Sequence, residues 1–177
     1  MRTLKYAILG LLMRKNMSGY DLNKEFNSGL IEFWSAKHSQ IYPELKKLVA
    51  EGLVEFKIEI SGDILEKKIY QITEKGKQEF LNWLHQDVEI EPTPKDVFRL
   101  RMYFSENLDS KDLLRLLDSQ IKQHDLKLKH LQDINDSFET VPIKGTVEFA
   151  DYLVLQSAIM REDYYLKWLD LCKNYFK

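Results

Sequence analysis

The run Trp34 to Val54, WSAKHSQIYPELKKLVAEGLV, leaves the chain few local options. Ile41, Leu45, Leu48 and Val49 recur at helical spacing and predict one buried stripe. Pro43 lacks an N–H and is best tolerated near a first turn, so a start near Ser39 suits it, whereas a start near Ser35 requires a kink. Gly52 ends the helix, and a strand starts at once. The lead-in Lys37-His38-Ser39-Gln40 is polar and basic, which places hydrogen-bonding side chains at the helix N-terminus.

The flanking sequence supplies neighbours for that helix. Leu4, Ala7, Ile8, Leu11 and Leu12 predict an amphipathic helix over Thr3–Arg14. Asn16–Gly19 reads as a break. Ser18 and Asp21 give a capping signal for a second short helix through Phe26, after which Asn27–Gly29 reads as a loop and Leu30–Trp34 as a packed connector. Val54–Ile60 and Leu65–Ile72 alternate as strands around the turn residues Ser61-Gly62-Asp63, with Phe56, Ile58 and Ile60 on one face and Glu55, Lys57 and Glu59 on a wet one. Thr73 should cap a helix to about Gln86, with Phe80, Leu81 and Leu84 buried.

Residues 87–95, DVEIEPTPK, are acidic, hold two prolines and read as a linker. Helices are expected over Asp96–Phe104, Ser110 to about Phe138, and Thr146–Lys177. Leu117, Ile121, His124, Leu128, Leu131, Asn135 and Phe138 follow a 4-3 rhythm that builds a helix–helix seam. Ala150, Val154, Ser157, Arg161, Tyr164, Trp168, Leu171 and Tyr175 repeat it. Phe149, Leu153, Met160 and Leu169 widen the apolar surface of the last helix beyond what one neighbour covers, so it should pack both within its subunit and against a second copy. The expected fold is mainly α with a small β-hairpin: an N-terminal winged helix-turn-helix over 1–86, a linker over 87–95, and a C-terminal helical dimerisation and effector domain over 96–177.

Composition narrows the function. The net charge of −2 argues against a wholly basic nucleic-acid binder. Residues 1–85 hold 13 Lys/Arg against 11 Asp/Glu, and residues 86–177 hold 13 against 17, which permits a basic face in the first half. With Cys172 alone no intrachain disulfide can form, and a reducing cytoplasm is the expected setting. No stretch reaches the roughly 18 apolar residues of a membrane span. His38, His85, His124 and His130 are scattered, without an HExxH motif, a zinc set, a phosphate loop or a nucleophile elbow, so no enzyme, metal or cofactor is expected.

A short helix presenting donors and acceptors at its N-terminal end beside a hairpin suits a DNA major groove. Lys37, His38, Ser39 and Gln40 stand where they can reach base edges or phosphates, and Gln40 can pair bidentately with adenine. Tyr42, Lys46 and Lys47 are placed for phosphates, and Lys57, Lys67 and Lys68 on the hairpin can follow the backbone along the neighbouring minor groove. The plainer reading is a solvated lysine face. A winged helix turned to protein–protein contact is the alternative of another class, motivated by the near-neutral first half.

GYDLNKEF (19–26), Trp34, SQIYPELKKLVAEGLV (39–54) and KKIYQITEKGK (67–77) together resemble the PadR family of bacterial transcriptional regulators. The resemblance covers about the first 85 residues, and the long helical second half is similar to the Vir-like C-terminal region of the longer subfamily. His38-Ser39-Gln40 departs from the commonest family pattern and is closer to the AphA-like branch, so base preference does not carry over from phenolic-acid-responsive members. The resemblance implies a homodimeric repressor paired through its C-terminal helices and bound to an inverted-repeat operator in double-stranded DNA. It also implies a small aromatic effector, for which His124, Arg161, Tyr164, Tyr165 and Trp168 are the candidates. Their plainer reading is core or dimer seam, with Arg161 paired to an acid.

Overall fold

Leu4, Ala7, Ile8, Leu11 and Leu12 form the inward face of α1 (Thr3–Arg14), around which the first unit is built. The computed structural model describes residues 2–27, 36–61 and 65–176, in two compact units, Met1–Ile90 and Glu91–Lys177. In the first, α1 is followed by β1 (Met17–Ser18), α2 (Gly19–Phe26), α3 (His38–Ala50), β2 (Val54–Ser61), β3 (Leu65–Ile72) and α4 (Glu74–Leu84). Ile8, Leu9, Leu22, Phe26, Ile41, Leu45 and Leu48 are wholly buried. Burial of side chains this large contributes roughly 1.5–3 kcal/mol each relative to exposure, before chain entropy is counted. Trp34 and the connector Leu30–Trp34, along with Gly62 and Asp63 of the turn, lie outside the described residues.

Of the two starts open from sequence, near Ser39 and near Ser35, α3 takes the first, beginning at His38, and Pro43 is its sixth residue. The helix end is built by Gly52, whose φ of 68° is the left-handed conformation that favours glycine. That conformation lets Leu53 N–H donate to Leu48 O at 2.9 Å and Gly52 N–H to Val49 O at 3.0 Å, the paired bonds of a Schellman motif. The chain leaves this motif directly into β2.

The sheet has three antiparallel strands in the order β1-β3-β2, where the sequence suggested a two-stranded hairpin. Met17 pairs with Tyr70 and Ser18 with Ile69. Two residues are too short for alternation to register, so the segment read as a break. β2 and β3 pair from Val54↔Ile72 to Ser61↔Leu65. The expected dry face of the hairpin is not dry: exposure climbs from 36 % at Phe56 to 54 % at Ile58 and 76 % at Ile60. The hairpin outreaches the helices that would cover it, so alternation described its pleat and not its burial.

Thr73 caps α4 as expected, its hydroxyl accepting from Gly76 N–H at 3.1 Å. Leu81 and Leu84, expected inside, are exposed in this unit. Phe80 packs on the core as expected, and Trp83 stacks on Tyr6 with ring centroids 4.6 Å apart. The aromatic rings set the phase of the helix.

The second unit comprises α5 (Val97–Tyr103), a single 3₁₀ turn (Ser105–Asn107), α6 (Ser110–Asp136) and α7 (Val147–Tyr175). Asp96, Asp109 and Thr146 cap the three helices with side-chain oxygens. α6 and α7 run antiparallel: Leu117 clusters with Leu169, His124 bonds Glu162, and Leu131 packs with Leu155. The α6 seam follows the expected rhythm, with Leu117 and Leu131 wholly buried. The α7 seam is rotated from expectation, because its inward line is Leu155, Ala158, Glu162, Tyr165, Leu166 and Leu169. A glutamate in that line concealed its phase. The rotation leaves Leu153, Met160, Tyr164, Leu171 and Tyr175 exposed along α7, and Arg161, expected to be buried, is exposed as well.

Candidate nucleic-acid interface and ligand pocket

The first turn of α3 is anchored from below and open above. Ile41, Leu45 and Leu48 fix its inner face, while Lys37, His38, Ser39 and Gln40 are all exposed. Helix N-terminal N–H groups and the helix dipole both favour a phosphate there. The His38 and Tyr42 rings pack at 4.5 Å, and Tyr42 lies against Gly19, where a Cβ would fall 2.7 Å from the tyrosine ring. The glycine opening α2 is therefore the space in which Tyr42 is laid down. Ser18 and Asp21 form a full capping box, with Asp21 N–H donating to Ser18 Oγ at 3.1 Å and Ser18 N–H to Asp21 Oδ2 at 3.0 Å. The Ser18 hydrogen bonds hold the Asp21 carboxyl below its usual range despite partial desolvation.

The structure sorts the lysines. Lys46, Lys47 and Lys57 are exposed. Lys68 lies over the Phe56 ring at 4.4 Å, which props its ammonium on the hairpin face. Lys67 is paired with Asp21 at 3.2 Å and ties the hairpin to the start of α2. Gln40 is also engaged: its Oε1 accepts from Lys37 N–H at 3.0 Å and caps its own helix. Its amide NH₂ points the other way chemically, as a donor, so a bidentate adenine contact would require the cap to open.

Three residues escaped the sequence reading. Tyr20 is 69 % exposed on α2, the helix that precedes α3 in the helix-turn-helix order. Glu44 is buried on α3 and held by Arg2 at 2.7 Å. The signal for Glu44 was available, since 41, 44, 45 and 48 form one helical stripe, and an acid on such a stripe needs a cation. Arg2 carries no comparable signal.

In the second unit, Glu162 is buried beneath three nitrogen partners, with the His124 ring Nδ1 at 2.6 Å and both Lys127 Nζ and Arg161 Nη2 at 3.4 Å. Burial alone would raise its carboxyl, but the His124 hydrogen bond and the Lys127 charge outweigh that and hold it low. The His124 ring stacks on Tyr165 at 4.1 Å, and the Tyr165 hydroxyl donates to Asp96 Oδ2 at 2.8 Å. Asp96 in turn caps α5 through Arg99 N–H at 3.0 Å. Burial and the Asp96 bond push the Tyr165 phenol well above its ordinary range. His124 and Tyr165 line an open cavity of about 380 Å³ with Asp96, Phe98, Arg101 and Gln120. Tyr164, Tyr165 and Trp168 line a second of about 400 Å³ with Arg99, Met102 and Tyr103. Four of the five effector candidates thus meet around the Tyr165 ring, and Arg161 lines neither cavity.

A carboxyl held low by its native partners stabilises the fold above its unfolded pKa and loses that contribution as pH falls through its folded one. Acid titration followed by circular dichroism should therefore show the α6–α7 pair losing stability below about pH 4.3, the ordinary glutamate value. Glu162→Gln should flatten that loss.

Among the described residues, no helix is long and apolar enough to cross a membrane, and no group of acidic, histidine or cysteine side chains could hold a metal ion. Residues 8–82 match the transcriptional regulator PadR-like family, and residues 94–177 match the virulence activator alpha C-terminal family. A negative transcriptional regulator PadR of Bacillus subtilis is 44% identical over 173 residues, covering 96% of this chain and 95% of that one. The crystal structure of B. subtilis PadR in complex with operator DNA superposes with a TM-score of 0.95 at 43% identity, covering 99% of this chain and 100% of that one. The same protein in complex with p-coumaric acid gives 0.88 at 40%, covering 99% of each. A winged helix-turn-helix followed by an antiparallel helical unit is the architecture of these transcriptional regulators. The chain belongs to the PadR-like family of transcriptional regulators.

Proposed function

We propose that the chain is a sequence-specific DNA-binding repressor acting in the cytoplasm as a homodimer, with α3 in the major groove and the β2–β3 hairpin along the backbone. The observation that carries this reading is the exposed turn Lys37-His38-Ser39-Gln40 on a helix whose opposite face is wholly buried. Base edges are read by donors and acceptors on such a turn, while Tyr42, Lys46, Lys47, Lys57 and Lys68 supply the phosphate contacts that set register. Lys67 acts through Asp21 to hold the hairpin, and contributes less directly. Operator DNA in the complex of the B. subtilis relative supports the same partner here, and 44% identity over 96% of this chain makes that operator the duplex to test, despite the departure expected from His38-Ser39-Gln40.

The second unit serves dimerisation and signal. Two copies joined through α7 would present their α3 helices to half-sites of an inverted repeat, roughly 34–36 Å apart. A small aromatic acid is the effector: the tyrosine and tryptophan walls around Tyr165 take its ring, and Arg99 or Arg101 its carboxylate. The p-coumaric acid complex of the relative supports that class.

Fluorescence anisotropy with the operator duplex of the B. subtilis relative, with and without p-coumaric acid, tests both halves. Lys68→Ala should weaken all duplexes about equally and flatten the salt slope by about 1, whereas Gln40→Ala should relax discrimination at one base position by about 1–3 kcal/mol. If Gln40→Ala leaves base preference untouched, Gln40 is a helix cap and no base reader.

A further inference from the structure

The Arg2 side chain is not spent on its own helix. It occupies the N-cap position of α1 without a side-chain cap bond, and its guanidinium reaches across to α3 instead. Nε donates to Glu44 Oε1 at 2.7 Å, while Nη1 and Nη2 donate to the two Glu51 oxygens at 2.6 and 3.2 Å. Glu44 and Glu51 lie seven residues, two turns, apart on one face of the recognition helix. Glu44 is buried, and a buried carboxylate without a cation would be costly, so this contact is obligatory where a surface ion pair would be optional. The Arg2 hydrogen bond also holds the Glu51 carboxyl below its usual range.

The base of the clamp is itself fixed. Lys5 on α1 pairs with Glu79 of α4 at 2.5 Å, Tyr6 stacks on Trp83, and Lys75 Nζ donates to Glu51 O at 2.8 Å. α3 is thus held from its middle to its C-terminal end, and its reading end projects beyond the clamp. His38 lies six residues beyond Glu44, roughly 9 Å along the axis at 1.5 Å per residue, so a tilt of about 5° at the clamp moves the first turn by about 0.8 Å. Base-edge hydrogen bonds tolerate about 0.5 Å. Arg2 also offsets one of the two negative charges that Glu44 and Glu51 bring to the helix that approaches phosphates.

Resting on the DNA-binding reading above, we propose that Arg2 is a positioning residue for base recognition, setting the tilt of α3 through Glu44 and Glu51. The test measures dissociation constants for the operator duplex of the B. subtilis relative and for a scrambled duplex of equal length, well below each variant's melting temperature. Arg2→Ala should weaken operator binding about 10-fold or more while changing scrambled binding less than about 3-fold, because phosphate contacts tolerate tilt and base contacts do not. Arg2→Lys should fall between, since an ammonium cannot span both carboxylates with a planar fork. Should Arg2→Ala fold poorly, Glu51→Gln, at the exposed end of the clamp, should give the same selective loss at about 3-fold. Equal loss on both duplexes with a flatter salt slope would make Arg2 a direct phosphate contact and overturn the proposal, as would unchanged binding to both. A wild-type protein that does not distinguish the two duplexes would instead defeat the DNA reading, and this proposal with it.

Discussion

Gly76→Ala is expected to cost the first unit about 3 kcal/mol, the upper range for overpacking a close contact. Gly76 lies in the first turn of α4, where its N–H donates to the Thr73 hydroxyl. That hydroxyl donates to Gly52 O at 2.8 Å, and Thr73 N–H donates to Leu53 O at 3.1 Å. Three elements are therefore pinned within one turn: the end of α3, the start of β2 and the start of α4. A Cβ on Gly76 would sit 2.1 Å from Leu53 O, and because that atom is backbone it cannot swing aside. The strain falls on the junction that orients the recognition helix against the hairpin. Differential scanning calorimetry should show the first unit melting roughly 15 °C lower, at 4–8 °C per kcal/mol for a domain of this size, with the second unit unmoved. Operator binding should fall with it.

In the proposed homodimer, the double substitution Met160→Glu, Tyr164→Glu is expected to separate the two copies without unfolding either. Both side chains lie on the outer line of α7, 68 % and 70 % exposed, with Leu153, Leu171 and Tyr175 extending the same apolar surface. The inner line, from Leu155 to Leu169, is already satisfied by α6. A face this apolar needs a cover, and a second α7 offers a matching one under two-fold symmetry. Two facing acidic patches would repel across that axis. Light scattering should report the mass of one chain, circular dichroism should be unchanged, and operator affinity should fall about 100-fold as the linked second half-site is lost. A species that keeps the mass of a dimer would place the interface elsewhere.

Strong local signals carried most of the fold from sequence alone. The Ile41-Leu45-Leu48 stripe, Gly52, the Ser18–Asp21 box and the Thr73 cap are each local in sequence and mechanism, and each appears within a residue or so of its expected place. What was not legible depends on partners distant in the chain. β1 exists only because Tyr70 and Ile69 lie beside it. Ile58 and Ile60 alternate correctly, but the helices stop short of them. The inward face of α7 includes Glu162, which is admissible because His124 and Lys127 arrive from α6, more than 30 residues earlier in the chain. The site divides the same way: the exposed turn at Lys37–Gln40 follows from periodicity, whereas the Lys67–Asp21 pair and the Arg2 clamp follow from contacts that spacing does not encode.

Affinity for operator DNA as a function of salt tests the central claim most directly. With about six phosphates neutralised at each site, log affinity for the operator duplex of the B. subtilis relative should fall against log salt with a slope near −5. A scrambled duplex should bind at least about 1,000-fold more weakly at the same salt. Equal, weak affinity for both duplexes across the salt range would contradict the account.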